Sequence, residues 1–378
     1  MQRVVKLIIA FLFVVHSLHA RLAVITEPVV EGFTISALKY GPSVQSVHQK
    51  LDYIPSKSRP TPRACQLLFN TVVNTLHETT QEAMIEVEHL FYDIEPNDFY
   101  KNHFWIPKKS LLFLDHVNPH TKQSFPQPLS RSTAHWYDSN VVVLTLPWIP
   151  SVGHCMYSVG TRFVRQPEHD TENSYGIIMR HPHHKHAQIE HVPKAHALIE
   201  GSIPKNLQRR AMIDLIKSWI DYAEEQQTCI PYVWGGSSFA LTEPNKKPLI
   251  GFDCSSLIIR AAQIIGIPLC AKTSMMMEKT LKPLSKKDTL EIGDIIWRPG
   301  HVILIADIER NEIIQARGYE SGYGCVYRSE LGKYFQGIST FNQLVNRYFC
   351  NKEVRELKKN GDAFNDTTQI KILKLPLE

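Results

Sequence analysis

No segment after the first twenty residues is long and apolar enough to span a bilayer, so a polytopic membrane protein is excluded. The chain has no Cys-x-x-Cys pair, which removes the strongest zinc-site spacing. It also has no run of five or more lysines and arginines, and its formal net charge is only +5. A nucleic-acid partner is therefore not expected, while the mild positive charge suits work near an anionic polymer. What the chain does have is 378 residues, 43% hydrophobic and 21% charged. That composition belongs to a folded protein, and the length implies two or three domains.

The N-terminus carries a compartment signal. Arg3 and Lys6 precede an apolar run, Leu7–Val15, and Ser17-Leu18-His19-Ala20 offers a cleavage site after Ala20. Residues 1–20 are thus expected to be a signal peptide, the run being short of the roughly 20 residues a spanning helix needs. No cysteine follows the run to carry a lipid anchor. An exported protein, periplasmic or associated with the cell wall, without membrane insertion after cleavage, is the expectation. Seven cysteines are an odd number. In an oxidising compartment one can stay a free thiol while others pair, and their spacing does not say which.

Along the chain, residues 21–60 hold few helix or strand signals and end in Ser-Lys-Ser-Arg-Pro-Thr-Pro, the texture of an arm or linker. Val72–Leu76, Ala83–Tyr92 and Phe104–Leu114 then give short strands, predicting a small barrel over 61–118. Val141–Leu146, Gly160–Arg165 and Tyr175–Met179 predict a second over 129–203. From 204 to 350 helices come first, with Ile213, Ile216 and Ile220 at helical spacing, and strands follow. This is an α+β order. Residues 351–378 are charged and read as a peripheral tail.

Cys254 stands in Gly-Phe-Asp-Cys-Ser-Ser at the start of an amphipathic stretch. The first turn of a helix stabilises a thiolate through its unpaired N–H groups and dipole. A thiol nucleophile also needs a base and a third group to orient that base. His301 follows the turn Arg298-Pro299-Gly300 and opens a strand, and Gln315 lies in the strand after it. Taken singly, the histidine reads as an incidental rim residue and the glutamine as a surface one. The histidine cluster around 181–186 has no paired carboxylate or cysteine and reads as a polar hairpin loop. Met275–Met277 reads as packing, and Trp105 and Trp136 as aromatics that small barrels bury.

The combination says more. Tyr232-Val233-Trp234-Gly235-Gly236, then Phe252-Asp253-Cys254-Ser255-Ser256, then Gly293-Asp294 and Gly300-His301-Val302 resemble, in order, the NlpC family of papain-like cell-wall cysteine peptidases. The multi-domain form with N-terminal bacterial SH3-like barrels is the nearest match. The resemblance covers residues 207–349 and implies a papain-like α+β domain whose nucleophile helix packs on an antiparallel sheet, behind two small all-β SH3-like barrels. It implies Cys254 as nucleophile, His301 as general base and Gln315 as the orienting group. Tyr232 would shape the oxyanion site, Ser255 or Cys254 would lend a backbone N–H, and Asp253 would support the motif and, in some members, bind a substrate amine. The implied substrate is the peptidoglycan stem peptide, cut between D-γ-glutamate and a diamino acid such as meso-diaminopimelate. No cofactor or metal is required, and a monomer is expected. Ser256 for the usual glycine, a long loop over 237–251, and Gln for the commoner third histidine are departures from the family pattern. A non-catalytic cell-wall binding protein, or an amidase or transpeptidase using the same cysteine, are the alternatives. In either case Cys254 should be the unpaired thiol.

Overall fold

Short alternating runs of apolar residues, rather than long strands, build the N-terminal half. A computed structural model describes residues 20–36, 63–94, 100–117, 122–130, 138–151, 155–180, 187–241, 250–364 and 367–376. The first sheet is formed by β1 (Arg21–Ile25), β2 (Val29–Phe33), β3 (Arg63–Leu68), β4 (Val72–Glu78), β5 (Glu82–Glu86), β8 (His103–Pro107) and β9 (Leu111–Phe113), in the order β3-β2-β8-β5-β4-β1-β9. A two-stranded ribbon, β6 (Asp93–Ile94) with β7 (Tyr100–Lys101), lies beside it in sequence. In β1, Ala23 and Ile25 face the main core while Val24 packs with Val72, Leu114 and Phe125 on the other face. That is the period-two pattern of a strand covered on both sides.

The second sheet runs β13-β12-β11-β10-β14, from β10 (Val141–Leu144), β11 (Arg162–Arg165), β12 (Ser174–Met179), β13 (Gln188–Pro193) and β14 (Ala197–Ile199). Strand β10 is buried on both faces: Val142 and Leu144 join Trp148, Tyr157 and Phe163, whereas Val141 and Val143 join the main core. Arg162 clamps the buried Glu200 with two hydrogen bonds of 3.0 and 2.7 Å.

The C-terminal half is α+β, as its pattern implies. Helix α1 (Gln208–Glu225) packs on α2 (Cys254–Ile265), and the short α3 (Ser274–Thr280) follows. The third sheet has the order β18-β17-β16-β15-β19, with β15 (Ile295–Arg298), β16 (His301–Asp307), β17 (Glu312–Arg317), β18 (Cys325–Glu330) and β19 (Lys371–Leu373). One face, through Val302, Leu304, Ile314 and Ala316, packs against α2. The other, through Ile296, Ile303, Ile305 and Ile313, is covered by Leu331–Ile338 and by Phe341 and Leu344 of α4 (Phe341–Phe349).

Several expectations change. Residues 21–33 are not part of an arm: β1 and β2 are interior strands of the first sheet, because Ala23, Val24, Ile25, Val29 and Val30 supply apolar side chains to bury. The region after Cys350 is not a peripheral tail. Val354, Glu356, Ile370, Ile372 and Leu373 are buried, and β19 pairs antiparallel with β15. The two all-β units are present, but each strand order ends on two different edge strands and no closed barrel is seen among the described residues. The leader over 1–19, the remainder of the arm over 37–62, the histidine-rich 181–186, Trp136 and most of the 237–251 loop lie outside the described residues. No helix among the described residues is long and apolar enough to cross a membrane.

Candidate active site

Helix α2, which carries the candidate nucleophile, is held from its first turn. Asp253 is the N-cap of α2 in extended geometry, and its Oδ1 accepts from the Ser256 N–H at 2.7 Å, satisfying one of the donors a helix start leaves open. The Ser256 hydroxyl donates to the same oxygen at 2.6 Å, while the Ser255 hydroxyl, 3.0 Å from it, lies nearer the Lys272 carbonyl at 2.7 Å. The other oxygen, Oδ2, takes the Gly235 N–H at 3.1 Å and the buried Lys272 ammonium at 2.9 Å. Lys272 also donates to Ser256 Oγ at 2.5 Å. The Asp253 carboxylate is thus engaged by four donors before any ligand arrives.

The Tyr-x-Trp-Gly-Gly segment straps this cap. Phe252 sits between Tyr232 and Ser237 as an isolated bridge to each, and Val233 N–H donates to the Phe252 carbonyl at 3.0 Å. Gly235 has φ +70, and a Cβ there would meet the Arg63 carbonyl at 2.5 Å. Any side chain at 235 would push the first sheet off the turn that delivers the Gly235 N–H to Asp253.

His301 enters from the sheet. Arg298 and His301 face each other across β15 and β16, joined by Pro299 and by Gly300 at φ +78, the residue order of a type II turn. His301 Nε2 lies 2.8 Å from Gln315 Oε1, and Gln315 Nε2 donates to the Tyr327 hydroxyl at 2.8 Å. With its amide nitrogen turned to Tyr327, Gln315 offers only an acceptor to His301. Nε2 therefore carries the proton and Nδ1 is left as the base. The Cys254 sulfur accepts a hydrogen bond from the backbone of Val302, the next residue after His301. The candidate nucleophile thus lies beside the residue that follows the candidate base.

Burial pushes the Cys254 thiol up to about 11; the Asp253 charge adds to that, and the Val302 hydrogen bond and the Arg298 and Lys272 charges oppose it. The expected helix-start depression of this thiol is overcome by the desolvation of the thiolate. His301 is held well below the ordinary imidazole range by burial and by Arg298, with Gln315 pulling the other way. Burial, together with the Cys254 and Asp253 charges, also keeps the Tyr232 hydroxyl protonated far above its usual range.

The structure thus brings Cys254, His301, Gln315, Asp253, Ser255 and Tyr232 to one corner. Sequence reasoning missed Lys272, Tyr327 and the ion cluster behind the histidine. In that cluster Glu356 pairs with Arg298 and with Arg317, the latter at 3.2 Å. Tyr327 was open to discovery as the residue facing Gln315 on the next strand. Lys272 and Glu356 carry no local signal. No group of three or more His, Cys, Asp or Glu among the described residues is placed to hold a metal.

Residues 229–336 match the NlpC/P60 family. A crystal structure of an NlpC/P60 family protein from Bacillus cereus aligns with a TM-score of 0.55 at 15% identity, covering 82% of this chain and 93% of that one; this is a likeness of fold. NlpC2 from Trichomonas vaginalis aligns over 94% of this chain and 98% of its own at 14% identity and a TM-score of 0.32. The peptidoglycan hydrolase RipB from Mycobacterium tuberculosis aligns over 34% of this chain and 61% of its own at 25% identity and a TM-score of 0.24. The last two scores are too low to argue from. No curated protein sequence matches the chain. The family match spans Tyr232, Asp253, Cys254, His301, Gln315 and Tyr327 but stops short of Glu356, so the part of the chain that builds the candidate site is the part that matches the NlpC/P60 family.

Proposed function

We propose that this protein is a cysteine endopeptidase of cell-wall stem peptides, cutting the bond between D-γ-glutamate and a diamino acid such as meso-diaminopimelate. The observation that carries the reading is the buried line His301, Gln315, Tyr327, in which Gln315 holds His301 and Tyr327 holds Gln315, with Cys254 beside the backbone of Val302, the residue after His301. Neutral His301 takes the Cys254 proton at Nδ1 as sulfur attacks the γ-glutamyl carbonyl. The first-turn N–H groups of Cys254 and Ser255, with the protonated Tyr232 hydroxyl, oppose the charge that builds on the carbonyl oxygen. His301 then returns the proton to the departing amine, and water cleaves the thioester. Asp253 and Ser255 contribute as the cap that holds the nucleophile in place.

Export to the cell wall fits this substrate, as does the mild positive charge. Cys254→Ala and His301→Ala are each expected to abolish release of the diamino acid from a defined γ-D-glutamyl-diaminopimelate muropeptide, followed by mass spectrometry. Undiminished turnover in either variant would falsify the assignment. Cleavage at another acyl bond would reassign the same nucleophile to an amidase or transpeptidase.

A further inference from the structure

Two cysteines outside the catalytic line meet where the Tyr232 turn touches the third sheet. Tyr232 N–H donates to the Gly324 carbonyl and Val326 N–H to the Ile230 carbonyl, both at 2.9 Å, and Pro231 and Cys325 form an antiparallel bridge between these bonds. In that register Cys229, two residues before Pro231, lies on the same face as Cys325 and diagonal to it. The two thiols are close enough for each to set the other's ionisation. Cys229 is exposed, Cys325 is partly so, and both are unpaired.

We propose that Cys229 and Cys325 form a disulfide that staples the Tyr232 turn to β18. The contact favours the chemistry. The hydrogen bond from Cys325 lowers the Cys229 thiol to about 6, against burial and with help from the Lys359 ammonium, so an exposed thiolate is present at neutral pH. That thiolate attacks a disulfide oxidant such as glutathione disulfide, forming a mixed disulfide and expelling one thiolate. Cys229 then no longer carries the negative charge that holds the proton on Cys325. Cys325 loses that proton and attacks the Cys229 sulfur, and the second oxidant thiol leaves. Two protein thiols are oxidised, one oxidant disulfide is reduced to two thiols, and the ring closes.

The position of the bond gives it a consequence. Tyr232 is three residues beyond Cys229, and Tyr327, which holds Gln315, is two beyond Cys325. The staple therefore joins the substrate side of the catalytic corner to the strand that orients its base, while leaving Cys254 as a free thiol. It goes beyond the peptidase reading, and holds whichever acyl bond the site cuts.

The test uses the full-length protein, equilibrated with glutathione disulfide or with dithiothreitol, alkylated with iodoacetamide and digested without reduction. The oxidised sample should yield one cross-linked peptide pair joining Cys229 to Cys325. Its Tm should lie at least about 5 °C above that of the reduced sample, because a loop of this length is costly to leave open in the unfolded chain. In Cys229→Ser and Cys325→Ser, both the cross-link and the oxidant-dependent part of the Tm should vanish. Alkylation of both residues after oxidation, Cys229 arrested as a glutathione adduct, a bond from either to another cysteine, or a cross-link with no Tm shift would each overturn the proposal.

Discussion

At the scale of single residues, the chemistry turns on two groups displaced in opposite directions. Burial raises the Cys254 thiol and lowers the His301 imidazole, so the resting pair is thiol and neutral imidazole rather than thiolate and imidazolium. On the proposed mechanism, attack then requires proton transfer at the moment of bond formation, with His301 as general base. The sign for pH follows. A base whose pKa lies below the usual histidine value keeps its accepting form into mildly acidic solution. The value of kcat/KM on a defined muropeptide should stay level between about pH 8 and about pH 6.5, and fall only below the ordinary histidine value. An acid limb centred at or above neutrality would show that His301 is charged at rest. Cys254 and His301 could be singled out in the sequence because motif residues flank each. Their protonation was not, since the helix start visible around Cys254 acts within one turn while desolvation depends on the whole enclosure.

At the scale of elements, α2 is held by an ion pair that no local pattern announces. Lys272 lies eighteen residues beyond Cys254, in a segment whose backbone pairs with Phe91 in the connection between β5 and β6: its N–H donates to the Phe91 carbonyl at 2.8 Å. That docking sets Lys272 against the N-cap carboxylate. The two partners are not equivalent. Removing Asp253 strands a buried ammonium and uncaps the helix, whereas removing Lys272 leaves a carboxylate still bonded by the Gly235 and Ser256 N–H groups and the Ser256 hydroxyl. Asp253→Ala should therefore cost about 4 kcal/mol. Lys272→Met should cost about 1–2 kcal/mol, because its aliphatic stem is replaced and the carboxylate keeps its donors. Urea denaturation of the two variants tests this, and the reverse order would mean that the ammonium, not the cap, holds the helix start. Glu356 follows the same logic in the sheet. It arrives from the C-terminal segment to neutralise Arg298 and Arg317, a partnership set by tertiary closure and invisible to spacing.

At the scale of the whole molecule, the three sheets share one apolar interior. Ile25 and Phe104 of the first sheet, Val143 of the second, Trp219 of α1, Leu257 of α2 and Leu304 of the third belong to the same buried cluster. Polar contacts cross the same boundaries: Trp219 Nε1 donates to the Thr145 carbonyl at 2.6 Å, and Gln66 bonds with Ser237 and Ser238. The α+β order and both β units were legible because periodicity is a local signal. The shared core was not, and neither were β1 and β2: two five-residue strands are short beside the polar, proline-ended stretch that follows them, and only pairing with distant strands fixes their place. A chain of domains on linkers would melt in steps, each unit with its own core. Here, separating the units would bare the faces of β1, β10 and α1 to water, and each square ångström of apolar surface so exposed costs about 25 cal/mol. The full-length protein should therefore unfold in a single calorimetric transition, with the van't Hoff and calorimetric enthalpies agreeing. A fragment beginning at residue 204 should aggregate or bind a hydrophobic dye, because Trp219 and the α1 face lose their cover. Two resolved transitions, or a well-folded isolated C-terminal fragment, would show that the shared core is only a contact between units that fold independently.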